Sequence, residues 1–131
     1  MYGYTGKLLR VNLSSGESKV EAIPEPVVKG FLGGRGLGVR YLYQELSSGI
    51  DPLGAENKLL FVMGPLGATP ALGFSKIAVV TKSPLTGGVT KSISGGYFGA
   101  FLKFAGFDAL IVEAGRRTRY TSTSRMEMPN L

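Results

Sequence analysis

Glycine divides this chain into short segments. Twenty of its 131 residues are glycine, and they stand singly or in pairs between apolar runs instead of forming a low-complexity linker. Glycine has no Cβ and adopts positive φ readily, so this placement indicates tight turns and points where the backbone approaches another group closely.

The first half of the chain predicts a hairpin followed by two helices. Segments 7–13 and 18–23 each alternate apolar and polar residues around a turn signal, which is typical of a β-hairpin. Pro24-Glu25-Pro26 favours the start of a helix, since proline suits the first helical turn. Glycines within 33–36 predict a bend, because each costs about 1 kcal/mol inside a helix. A second helix is expected over 37–46.

The second half combines short strands with one helix. Short apolar runs between turn residues predict strands at 58–63, 76–81, 89–93 and 109–113. A helix is predicted over 97–104, with Gly106 as its left-handed terminator. The order of strands, helices, strands, helix and strand predicts an α+β domain with mixed sheet pairing. We expect this domain to occupy residues 1–115 and a divergent polar tail to occupy 116–131.

Composition excludes several functional classes. The sequence contains no cysteine and no histidine, which excludes disulfides, thiolate metal sites, iron–sulfur ligand sets and histidine-activated nucleophiles within this chain. These absences argue against a complete hydrolase or metalloenzyme. No stretch reaches the roughly 20 apolar residues of a membrane span, and the start has no secretory signal pattern. The sequence therefore predicts a cytoplasmic protein without a membrane partner.

The net charge of +6 is compatible with nucleic acid, an anionic ligand or simple solubility. The lysines and arginines are scattered, apart from Arg116, Arg117 and Arg119. A dedicated nucleic-acid arm is usually denser, whereas a phosphate-bearing small ligand needs only a few cations. Nucleic acid is therefore the less favoured partner.

Ser94-Gly95-Gly96, between a predicted strand and a predicted helix, is the most informative local feature. Ser94 can cap the helix by accepting a hydrogen bond from a backbone N–H. Gly95 and Gly96 leave neighbouring amides unshielded, and the helix dipole adds partial positive charge at that end. Together these features favour a seat for an anion or a phosphate. The alternative is a capped helix packed closely on a sheet.

Other charged and glycine-rich segments give weaker signals. Lys76, Lys82 and Lys91 are expected around the loops near Ser94, where a lysine can act as a point charge for phosphate; a solvated surface lysine is the alternative for each. The glycine-rich segment 33–38 lacks the spacing of a nucleotide loop and favours a bend between helices. The carboxylates form no recognisable acid/base pair, and Asp108 is expected to cap or turn before a strand.

Several segments stand in a specific order and spacing across residues 1–114. The most specific are TKSPLTG at 81–87, SGGYFG at 94–99 and LKFAGFDA at 102–109, accompanied by weaker matches at 4–16, 33–38, 56–59 and 64–66. Taken together, they make the chain resemble the amino-terminal domain of the tungsten-containing aldehyde:ferredoxin oxidoreductase family.

The resemblance implies a fold, a cofactor and an activity. The implied fold is α+β, with mixed β-sheets and helices in β3-α-β3-like units. The implied cofactor is tungsten, or molybdenum in some relatives, held by two pterins whose phosphates are bridged by magnesium. A 4Fe-4S cluster would pass electrons to ferredoxin as aldehydes are oxidised to carboxylic acids. The family's cysteine ligands and acid/base residues lie in later domains, so we expect this chain alone to be inactive and the remaining domains to be its partners.

Five cofactor-binding residues follow from the resemblance: Lys76, Ile93, Ser94, Gly95 and Gly96. Lys76 matches a family arginine between pterin and cluster. Lysine keeps the positive charge of that arginine but lacks the planar guanidinium that makes bidentate contacts. Ile93 stands where asparagine is common, and the implied contact is its backbone carbonyl to magnesium. The turn at 94–96 matches the pterin-contacting turn. No catalytic residue is assigned.

Two other functions remain open at this point. The first is a non-enzymatic interaction module, forming a homo-oligomer through the face or sheet edge that a shortened domain would leave uncovered. The second is a small basic nucleic-acid-binding protein, which rests on charge alone.

Overall fold

The computed structural model describes residues 2–114, which form one six-stranded sheet and three helices. The strands are β1 (Lys7–Asn12), β2 (Ser18–Ala22), β3 (Lys58–Met63), β4 (Ile77–Lys82), β5 (Val89–Ser94) and β6 (Ala109–Glu113). The helices are α1 (Glu25–Phe31), α2 (Gly34–Glu45) and α3 (Phe98–Phe104). The predicted 116–131 tail lies outside the described residues.

The last strand occupies the middle of the sheet. The strand order is β2-β1-β6-β3-β4-β5, with β6 parallel to β1 and antiparallel to β3. The other neighbouring pairs are antiparallel. The predicted α+β class with mixed pairing is confirmed, and the first and last strands of the described residues are neighbours in the sheet.

Helices α1 and α2 cover one face of the sheet. Alternation along the strands directs Leu8, Leu60 and Ile111 to this face, where each is at most 1% exposed. Leu37 and Leu42 of α2 pack against them and are equally buried. Burying a leucine or isoleucine side chain contributes roughly 1.5–3 kcal/mol, so this layer is the main source of stability.

The opposite face of the sheet is apolar but thinly covered. Alternation places Leu9, Phe61 and Leu110 on this side, and only the seven-residue helix α3 packs there among residues 2–114. Leu59 is still 37% exposed. We call the exposed apolar side chains of α3, its N-cap and the neighbouring loop between β3 and β4 the α3 face; they are Leu72, Phe74, Tyr97, Phe98, Phe101 and Phe104, between 49% and 94% exposed.

The predicted bend between the first two helices is shorter than expected. Helix α2 begins at Gly34 instead of Leu37, and the positive-φ residues of the break are Leu32 (φ 60°), Gly33 (φ 155°) and Gly34 itself (φ 52°). A Cβ on Gly33 would lie 2.6 Å from Met63 O, and one on Gly36 would lie 2.5 Å from Phe31 O. Glycine at 33 and 36 therefore permits close backbone approach, and only the former interrupts the helix.

The end of α3 follows the predicted pattern. Gly106 has φ 93°, its N–H donates to Lys103 O, and the N–H of Phe107 donates to Leu102 O. This pair of bonds is the Schellman arrangement, which requires a left-handed residue at the position of Gly106. The turn leads directly into β6. No helix among residues 2–114 is long and apolar enough to cross a membrane.

Candidate cofactor-binding site

The turn after β5 exposes its backbone. Ser94 ends β5 opposite Ile77 of β4, and Gly95 and Gly96 follow it as exposed residues. A Cβ built on either glycine would meet no atom within 4 Å, and Gly96 has φ 105°. Both glycines are therefore open on the side where a side chain would stand, which leaves room for an anion beside the turn.

Ser94 does not cap the helix, contrary to the sequence-based expectation. Helix α3 begins at Phe98 with Tyr97 at its N-cap, and no side chain hydrogen-bonds that cap. The hydroxyl of Ser94 instead donates to Gly95 O at 3.1 Å. The turn adds three residues between strand and helix, which carries Ser94 out of reach of the first helical amides. The open glycine amides, and not a capped helix end, are what this turn offers.

Lys76 is the cation that the sheet brings to this turn. It immediately precedes β4, and continuation of the Ile77–Ser94 register places it beside Gly95. Lys76 is exposed and lines an open cavity of about 410 Å³ with Phe74 and the Gly64–Gly67 turn. A positive charge beside unshielded amides is suited to an anionic group.

The other two lysines are not brought to the turn. Lys82 lies at the far end of β4, opposite Val89, and its Nζ donates to Ile50 O at 2.8 Å. Because strands rise about 3.3 Å per residue, Lys82 is far from Ser94. Lys91 faces Val80 in the middle of the ladder. The expectation that three lysines surround the turn is therefore wrong for Lys82 and Lys91.

Ile93 lies on the edge strand next to the turn. It is paired with Ala78 of β4, and its side chain is 52% exposed. Strand β5 has one sheet neighbour among residues 2–114, so alternate backbone groups along it point away from the ladder. Within the described residues no cluster of three metal-ligating side chains occurs. A metal here would therefore depend on backbone oxygens and on ligands from elsewhere.

A buried ion pair beside the same cavity was not identified from the sequence. Asp108, 1% exposed, accepts hydrogen bonds through Oδ2 from the N–H groups of Thr5 (2.9 Å) and Gly6 (2.7 Å). Lys103 Nζ lies 3.7 Å from Asp108 Oδ1. Burial lowers the pKa of Lys103, and the charge of Asp108 offsets part of that effect. Asp108 thus holds the start of the chain, whereas the sequence indicated a cap or turn before its own strand.

The amino-acid sequence of this chain matches a known protein family. A family model described as "Aldehyde ferredoxin oxidoreductase, N-terminal domain" matches residues 8–120. The chain belongs to this family. The resemblance expected from the ordered segments is confirmed, and the open turn at 94–96 lies inside the matched region.

Two relatives of this aldehyde ferredoxin oxidoreductase domain are named as tungsten-containing enzymes. Tungsten-containing aldehyde ferredoxin oxidoreductases of Pyrococcus horikoshii and Thermococcus kodakarensis are 54% and 55% identical over 113 residues, covering 86% of this chain. An aliphatic sulfonate oxidoreductase, WOR-like subunit, of Pyrococcus furiosus is 44% identical over 116 residues. The chain spans 18–19% of the length of these three relatives.

A solved structure shares the fold. The active-site complex BamBC of benzoyl coenzyme A reductase, in complex with 1,5-dienoyl-CoA, superposes with a TM-score of 0.83 at 34% identity. The match covers 86% of this chain and 17% of that one. The aldehyde ferredoxin oxidoreductase domain therefore stands in much longer polypeptides in its relatives.

Proposed function

We propose that this domain binds the pterin phosphate of a tungsten cofactor and acts as the amino-terminal part of an aldehyde:ferredoxin oxidoreductase. The observation that carries the proposal is the open backbone at Gly95 and Gly96, with Lys76 beside it. The tungsten named for its relatives supports the choice of cofactor. Electrostatic attraction and amide donation would both favour a phosphate at this position.

Each residue has a distinct task in this proposal. The amides of Gly95 and Gly96 donate to phosphate oxygens, Ser94 adds a hydroxyl, and Lys76 supplies charge. Ile93 offers its backbone carbonyl to magnesium. The bound tungsten would supply the two-electron oxidation of an aldehyde to a carboxylic acid. This chain has no cysteine or histidine, so a 4Fe-4S cluster that passes electrons to ferredoxin would be held by other polypeptide. The complete protein would work in the cytoplasm.

The α3 face supports a partner for this domain. Its six apolar side chains are between 49% and 94% exposed, and neighbouring exposed apolar side chains of this kind often mark a surface that binds another protein segment. We propose that polypeptide corresponding to the rest of the relatives, encoded in the same chain or separately, packs on this surface. Without that polypeptide the domain would be inactive.

A homo-oligomer is the second candidate, favoured by the same α3 face. Tyr97, Phe98, Phe101 and Phe104 lie close to one another, with ring centroids of Phe101 6.2 Å from Tyr97 and 6.4 Å from Phe104. Such a cluster also suits a symmetric contact between two copies. The two candidates differ in whether added partner polypeptide disperses the oligomer.

The decisive experiment measures cofactor content. The chain is co-expressed with the remaining polypeptide of a relative, and tungsten and released pterin are quantified in the purified complex. Lys76→Gln and Gly96→Ala should each lower both contents at least roughly tenfold, the equivalent of about 1.4 kcal/mol. Lys91→Gln is the control for a charge on the neighbouring strand.

The glycine variant has a matched control at the other end of the same hairpin. Gly87 has φ 68° and, like Gly96, no atom within 4 Å of a built Cβ. Gly87→Ala therefore also places a side chain on a positive-φ residue, but away from the proposed site. Equal cofactor content in Gly96→Ala, Lys76→Gln and the two controls would overturn the proposal.

A further inference from the structure

Lys103 links three separate backbone carbonyls beneath the α3 helix. Its Nζ donates to Gly3 O at 2.6 Å, Gly64 O at 2.7 Å and Pro65 O at 3.3 Å. A lysine ammonium has three protons, so all of its donor capacity is directed to these carbonyls. The side chain is 7% exposed, so little bulk water competes for these bonds.

Lys103 is close enough to Asp108 for electrostatic attraction but donates no hydrogen bond to it. The Nζ–Oδ1 separation is 3.7 Å, and Oδ1 is buried without a hydrogen-bond partner in the described structure. Charge-assisted hydrogen bonds between such groups are normally about 2.7–2.9 Å long. If neutralising Asp108 were the main role of Lys103, a shorter and hydrogen-bonded pair would be expected. The geometry instead directs the lysine to the carbonyls.

Two of those carbonyls, of Gly64 and Pro65, belong to the turn that lines the cavity containing Lys76. Residues 64–67 form this turn, closed by the N–H of Gly67 donating to Gly64 O at 3.2 Å. The same residues line the cavity of about 410 Å³ that contains Lys76. Lys103 therefore fixes the cavity wall from behind, without facing the cavity itself.

We propose that Lys103 is a positioning residue, which holds the Gly64–Gly67 turn so that the cavity around Lys76 is preformed for an anion. That the cavity binds an anion rests on the function proposed above. The hydrogen bonds from Lys103 to the carbonyls of Gly64 and Pro65 do not depend on that function. Asp108 has the accompanying role of stabilising the charge of Lys103 and binding the amides of Thr5 and Gly6.

Two variants separate the positioning role from charge neutralisation. Lys103→Met removes the donors and leaves Asp108 as a buried unpaired charge, which is expected to destabilise the fold. Adding Asp108→Asn removes that charge while retaining an oxygen that can accept from Thr5 and Gly6. Thermal stability should then recover in the double variant, although the turn carbonyls still lack their donors. Lys91→Met, an exposed position, is the control.

Turn order and anion binding are measured in the full 131-residue chain. Hydrogen exchange of the Gly67 amide reports on the turn, and titration with inorganic pyrophosphate followed by NMR shifts of Lys76, which lines the cavity, and of residues 94–96 beside it reports on the site. We expect roughly tenfold faster exchange and roughly tenfold weaker pyrophosphate binding in both Lys103 variants, since losing charged hydrogen bonds of this kind costs at least about 1.4 kcal/mol.

The outcomes distinguish the positioning role of Lys103 from the existence of the anion site. A double variant that regains stability, slow Gly67 exchange and pyrophosphate binding together would show that Lys103 only neutralises Asp108. Stability regained without slow exchange supports the positioning role. If the wild-type chain takes no pyrophosphate, the proposed anion site fails, and exchange at Gly67 alone decides the role of Lys103.

Discussion

Arg10 Nη2 lies 2.8 Å from Glu45 Oε1, which ties strand β1 directly to the end of helix α2. The same guanidinium contacts Glu21 at 3.1 Å and Glu113 at 2.9 Å, and Lys58 bridges Glu45 and Glu113 at 2.7 and 3.0 Å. With 15–27% of each of these side chains exposed, the network is sheltered enough to contribute to stability.

Replacing the centre of this network should destabilise the domain. Arg10→Met retains much of the apolar stem but leaves three carboxylates with too few partners, so we expect a loss of about 2–3 kcal/mol in the free energy of unfolding. Denaturant titration followed by circular dichroism measures it. The control is Lys29→Met, whose pair with Glu25 is 69% and 59% exposed and should change stability by less than about 1 kcal/mol. Equal losses in both variants would contradict the assignment.

The same carboxylates should make stability fall in acid. Hydrogen bonding from Arg10 lowers the pKa of Glu21. Burial raises the pKa of Glu45 and Glu113, but the bonds from Arg10 and Lys58 outweigh it and leave both below the ordinary 4.5. The folded state therefore binds fewer protons than the unfolded state in acid. This contribution is complete above pH 4.5 and lost as pH falls through the lowered values.

Melting temperature as a function of pH checks this linkage. The wild-type chain should hold a steady melting temperature from neutral pH down to about pH 5 and then decline. Arg10→Met should decline less over the same acid range, since its carboxylates titrate nearer their ordinary values. A parallel acid decline in the two proteins would place the titrating groups outside the network.

Two helical glycines should respond to alanine in opposite directions. A Cβ on Gly38 would lie 2.7 Å from Val80 Cγ2, where α2 crosses β4 closely, whereas one on Gly30 in α1 would meet nothing within 4 Å. Gly38→Ala should therefore destabilise by about 1–3 kcal/mol through overpacking. Gly30→Ala should stabilise by roughly 0.5–1 kcal/mol through helix propensity. Chemical denaturation distinguishes them, and a shift of the same sign in both would refute the close approach.

The α3 face should drive association of the isolated chain. Phe101 and Phe104 are 59% and 70% exposed, so Phe101→Ser with Phe104→Ser removes apolar contact area while disturbing little of the core. We expect the double variant to be less associated than the wild-type chain by light scattering. Tyr43→Ser, an 86% exposed aromatic on α2, should leave the mass unchanged. A wild-type chain that is monomeric at high concentration would refute self-association through this face.

Local pattern predicted most of the elements within a residue or two. Strand β3 matches the predicted 58–63, β4 is displaced by one residue, and the turn at Gly106 is as expected. Alternation, turn residues and glycine terminators act over a few neighbouring positions, so they are readable in the chain itself. The start of α2 lies three residues earlier than predicted, because the chain turns at Leu32 and Gly33 and the glycines at 34 and 36 are already part of the helix.

The order of apolar runs, turn residues and specific segments was enough to predict the α+β class, the family and the position of the exposed turn at 94–96. Tertiary structure decided which lysine stands beside that turn, since pairing of β4 with β5 selects Lys76 over Lys82. It also decided the role of Asp108, whose carboxylate binds an amide 103 residues away in sequence. Contacts across such separations depend on which strands become neighbours, and the pairing of β1 with β6 joins segments about a hundred residues apart, which no local pattern encodes.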